Sequence, residues 1–120
     1  MNLSKLFIGL VALLHIWFLI LEMFLWTKPL GLKTFLMSVE HANQTAVLAA
    51  NQGLYNGFLA AGLIWSLVCS DPLVSKQLAL FFLSCVIIAA IYGAYSVNLK
   101  ILYIQGVPAI VALALIFLHF

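Results

Sequence analysis

Charge is what this sequence has least of. Only 7% of its 120 residues are Asp, Glu, Lys or Arg, whereas a soluble domain carries roughly a quarter. So little charge cannot build a water-facing surface, and a soluble globular fold is excluded. The positive charge is five lysines scattered over the ends of the apolar runs. No basic patch forms that would hold nucleic acid. Cysteine is scarce as well: Cys69 ends one apolar run and Cys85 lies ~12 Å inside the next, so both read as buried thiols without a covalent link. No nucleophile–His–acid signature, glycine-rich phosphate loop or compact His/Cys/Asp cluster is present, and neither a cofactor nor a metal is expected. The first apolar run also lacks a small-residue cleavage site and contains His15 and Glu22. It reads as a retained helix and not a secretory signal.

What the sequence has instead is apolar length. Apolar residues make up 67% of the chain, and the mean hydropathy is +1.24. They fall into four runs, 6–26, 46–68, 78–97 and 101–119. An α-helix needs about 20 residues to cross a ~30 Å hydrocarbon core, and lipid cannot satisfy exposed backbone groups. The expected fold is therefore all-α and integral to the membrane: one antiparallel bundle of four transmembrane helices filling residues 1–120. Thr27–Gly31, Ser70–Pro72 and Asn98–Lys100 punctuate the runs where turns belong. Lys28, Lys33 and Lys100 fall on one side and Lys5 and Lys76 on the other, a bias too small to orient the chain.

In such a bundle the polar residues are unevenly placed. Glu22 lies a turn from the end of the first run, and Asn51, Gln52, Tyr55 and Asn56 begin the second. Tyr92, Tyr95, Ser96 and Asn98 close the third, while Tyr103 and Gln105 open the fourth. All belong to the half on the side of the first and third connections. The other half holds little beyond Ser66, Ser84 and Cys85. His15, Glu22 and Trp26 recur at helical spacing, so they share one stripe. Asn51, Gln52, Tyr55 and Asn56 fill an arc of about 140° on the second helix. Beside that arc run Ala49, Gly53, Gly57 and Ala61, a small residue every fourth position, which lets backbones approach within the bundle or in a homodimer.

Each polar residue has an ordinary structural explanation. Asn51 and Asn56 can bridge helices, Gln105 can satisfy backbone groups freed near Pro108, and a mid-membrane His15 can be a buried donor. Glu22 is harder to explain this way, because an acidic residue inside a transmembrane helix costs up to about 2.5–3.5 kcal/mol that an aliphatic one would not. Residues 27–45 form a long first connection above the polar half, where a short interfacial helix is expected. Ser38-Val39-Glu40-His41 can cap that helix or extend the second one outward.

The strings Leu21-Glu22-Met23-Phe24-Leu25-Trp26, Ala49–Phe58, Tyr92-Gly93-Ala94 and Gln105-Gly106-Val107-Pro108-Ala109 resemble the bacterial membrane family called domain of unknown function 1304. The likeness runs over essentially the whole chain and implies a multi-pass protein of the inner membrane. It supplies no activity, substrate or cofactor. From the residues, the leading expectation is an intramembrane pocket for a small amphipathic or lipid-like ligand. Glu22, Asn51, Gln52, Asn56, Tyr92 and Gln105 would line it, Tyr55 and Trp26 would form its walls, and His15 would lie on the same stripe. Whether a reaction occurs is left open; Glu22 is the candidate acid or base. A small proton-coupled transporter subunit, resembling the four-helix multidrug exporters with one membrane carboxylate, is the alternative. The third possibility is a structural or assembly protein.

Overall fold

The computed structural model describes residues 2–120 and is helical throughout. Five α-helices occur in the order α1 (Leu3–Met23), α2 (Pro29–Phe35), α3 (Val39–Val68), α4 (Pro72–Ser96) and α5 (Val107–Phe117), with a π-helical turn at Leu102–Gly106 leading into α5. The chain forms two compact units. One is His15–Phe58, holding the end of α1 from His15 on, all of α2 and the first two thirds of α3. The other comprises the chain to Leu14 together with Leu59–Phe120.

In the His15–Phe58 unit, α1 stops when the amides of Phe24 and Leu25 both donate to the Ile20 carbonyl, at 3.0 and 3.2 Å. Five residues later Pro29 starts α2; its fixed φ suits a first helical turn, where no backbone donor is needed. Leu36 ends α2 in the left-handed region at φ 52°. Ser38 then caps α3, its Oγ accepting from the His41 amide at 3.1 Å. Residues 27–45 are thus not an open loop. They hold a short helix and the first turns of α3, which begins well before the apolar run because Ser38 starts it and Ala42 is fully buried.

The other unit is organised around Ile8, Val11, Leu63, Leu83, Val86, Ala109 and Ala112, all buried. The α3–α4 turn is tight. Asp71 caps α4 by accepting from the Leu73 and Val74 amides at 2.9 and 3.1 Å, and Ser75 Oγ donates to the Ser66 carbonyl at 2.5 Å. Ahead of Pro108 the winding widens: the Val107 amide reaches back five residues to the Leu102 carbonyl. A proline cannot donate to the carbonyl four residues behind it, and a π turn is one way for the helix to absorb that missing bond.

By length and composition, α1 and α4 can each cross a membrane. α3 is longer, but Glu40, His41, Asn43, Gln44, Asn51, Gln52 and Asn56 place polar side chains along its first two thirds. The stretch Leu102–Phe117 is apolar and shorter. Large apolar side chains stand exposed along these helices, among them Leu13 at 65%, Phe81 at 63% and Ile88 at 66%.

Candidate functional site

Gln52 and Asn56 are four residues apart on α3 and so share a face. Opposite them, on α1, is Glu22. The Gln52 Nε2 amide donates to Glu22 Oε2 at 2.7 Å, and the Asn56 Nδ2 amide donates to Glu22 Oε1 at 2.5 Å. Each carboxyl oxygen therefore receives one side-chain N–H. Glu22 is 4% exposed and Asn56 is buried, whereas Gln52 is exposed. Gln52 thus forms the surface edge of the cluster, while the carboxyl itself is enclosed.

Glycine sets the approach. A Cβ at Gly53 would lie 2.8 Å from Met23 Cγ and 3.0 Å from Glu22 Cβ, so only the missing side chain lets α3 come this close to α1. At Gly57 a Cβ would meet the tip of the Leu19 side chain. Gly53 and Gly57 of the small-residue stripe are therefore faced within the chain by Leu19, Glu22 and Met23, whereas Ala61 is exposed.

Of the expected pocket residues, the structure joins Glu22, Gln52 and Asn56 by hydrogen bonds. Asn51 is exposed on α3, and Tyr55 is exposed with its ring 5.9 Å from that of Phe58. Trp26 lies just beyond α1. Its Nε1 donates to Thr45 Oγ1 at 3.0 Å, and its ring lies 4.8 Å from Phe35. This tie between the end of α1, α2 and α3 carries no sequence signal, since its partners are far apart in the chain. His15 is buried, edge-on to Phe18 at 5.5 Å. Tyr92 and Gln105 belong to the other unit, Tyr92 being 69% exposed and Gln105 part of the π turn.

Sequence reasoning also overlooked a cleft of about 400 Å³ in the unit containing Leu59–Phe120. It is bordered by the first turns of α1 and α4 and the last turns of α3 and α5, and Lys5 and Lys76 stand at it. The lysines read merely as end charges in the sequence. Antiparallel connection of the runs was the available signal that these ends meet.

A family model described as "Protein of unknown function (DUF1304)" matches residues 9–117, a span that includes Glu22, Gln52 and Asn56. The uncharacterized protein YpaA of Lactococcus lactis subsp. lactis (strain IL1403) is 34% identical over 106 residues, 87% of this chain and 87% of that protein. No solved structure matches the chain.

Proposed function

We propose a function for this chain, which belongs to the DUF1304 family of proteins of unknown function: it is a four-span inner-membrane protein whose Glu22 carboxyl receives the polar end of a small amphipathic, lipid-like ligand. One observation carries the reading. A single buried acidic side chain is held between two amides, one of them on a surface-exposed residue. A carboxylate offers about four lone-pair sites, and the two amides use two of them. The ligand's polar end is therefore a donor, such as a hydroxyl or an amine. The membrane setting is supported by the low charge of the chain and by the large apolar side chains exposed along its helices.

A second reading has its own support. Gly53 seats α3 directly against Glu22, and both hydrogen bonds join α1 to α3, so the cluster also serves as a lock between two helices. Native mass spectrometry of the purified chain, with a monoacylglycerol and a long-chain amine added as probes, separates the two readings. Under the ligand reading, Glu22→Gln keeps the thermal midpoint near that of the parent and loses most of the bound probe. If the parent binds neither probe while Glu22→Ala lowers stability by about 1–3 kcal/mol, as loss of the partner of the buried Asn56 amide predicts, the cluster is a lock only.

A further inference from the structure

Two hollows of the Leu59–Phe120 unit adjoin one another. The first is the cleft of about 400 Å³ where Lys5, Ser4, Ser75, Lys76 and His119 stand near the ends of four helices. Among the described residues no acidic side chain lines it; Asp71, between Ser70 and Pro72, has a carboxylate oxygen on the Leu73 and Val74 amides. Both lysines are exposed, and a lysine carries its ammonium to the polar edge of a membrane on an apolar stem. The second is a groove of about 590 Å³ lined by Leu6, Phe7, Gly9, Leu10 and Leu13. Lys5 and Leu67 border both hollows, so the groove leads out of the cleft. It follows α1 from Lys5 to Leu13, a rise of ~12 Å. Gly9 keeps it open: a Cβ there would meet nothing closer than a Leu67 methyl at 3.9 Å, so close packing does not require glycine at this position.

We infer that this pair of hollows is a seat for an anionic phospholipid, with the phosphate on Lys5 and Lys76 and one acyl chain along the Leu6–Gly9–Leu13 groove. Charge complementarity names the occupant. The Phe120 main-chain oxygen in the cleft accepts from the Ser4 amide. Two ammonium groups with no acidic side chain among the described lining residues select an anion, and an adjoining apolar groove selects an anion that carries a chain. The Ser4, Ser66 and Ser75 hydroxyls in the cleft already donate within the chain, which leaves the two lysines, Ser70 and the Asn2 amide nitrogen as donors to the oxygens of a headgroup. The seat is separate from the Glu22 cluster, which receives a donor and not an anion. It depends on the proposed membrane setting only for the source of its ligand.

The test compares phosphatidylglycerol with phosphatidylcholine on the purified full chain by native mass spectrometry, with glycerol phosphate as the tailless control. The chain retains phosphatidylglycerol preferentially and binds glycerol phosphate weakly. Lys5→Gln and Lys76→Gln each reduce phosphatidylglycerol retention about fivefold, the effect of one lysine at a membrane surface. Gly9→Leu fills the groove and also lowers retention. Circular dichroism of each variant verifies that the helices remain. Equal retention of the two lipids overturns the proposal, as does retention unchanged by both lysine substitutions. Glycerol phosphate binding as tight as the lipid overturns the groove. Carbonate extraction keeps the two ideas distinct: a chain that stays in the membrane pellet yet shows no lipid preference refutes the seat alone.

Discussion

At the scale of single residues, Glu22 and Gly53 act together. The carboxyl is tolerable in apolar surroundings because two amides meet it, and the amides reach it because Gly53 lets α3 close on α1. Gly53→Ala therefore forces the helices apart or strains Met23, at a cost of about 1–3 kcal/mol. Gly57→Ala meets only the end of Leu19, which can turn aside, and gains about 1 kcal/mol of helix propensity. Thermal unfolding in detergent should show a clear loss for the first and little change for the second. Equal losses would contradict the close-approach role assigned to Gly53.

At the scale of elements, helix ends are set by short-range chemistry. Ser38 caps α3, Asp71 caps α4, and Pro29 and Pro72 sit in the first turns of α2 and α4. Asp71→Ala leaves the Leu73 and Val74 amides without their acceptor and costs about 1 kcal/mol. The change should appear as faster hydrogen exchange confined to the first turn of α4, whereas Asp71→Asn retains most of the protection. Uniform acceleration along α4 would point to a global effect instead. The π turn at Leu102–Gly106 belongs to the same class. Pro108 announces a disturbance in the sequence, and the structure absorbs it by widening the turn at Leu102–Gly106, where Gly106 lies close to Ala90.

At the scale of the whole molecule, the proposed four-span arrangement is testable by topology. Ser70 lies in the α3–α4 turn, and Lys33 lies in α2, in the first connection. Ser70→Cys and Lys33→Cys, each introduced after replacing Cys69 and Cys85 by serine, should react with a membrane-impermeant maleimide from opposite faces of sealed vesicles. Asn98→Cys should behave like Lys33→Cys. Labelling of all three from one face would rule out four crossings.

Much of this was legible in the one-dimensional pattern. Hydropathy and length predict long apolar helices, and α1 and α4 have the length and composition to cross a membrane. Helical periodicity places Gln52 and Asn56 on one face and singles out Glu22. It could not say which amides touch the carboxyl, since Asn51, Gln52 and Asn56 are equivalent in composition and differ only in the rotation of α3 against α1. Tertiary packing chose Gln52 and Asn56, and left Asn51 and Tyr55 exposed. Packing likewise tied Trp26 to Thr45 and gathered Lys5 and Lys76 at one cleft. The physical reason is the same throughout: periodicity fixes the faces of each helix, while contacts distant in sequence depend on how those faces are brought together.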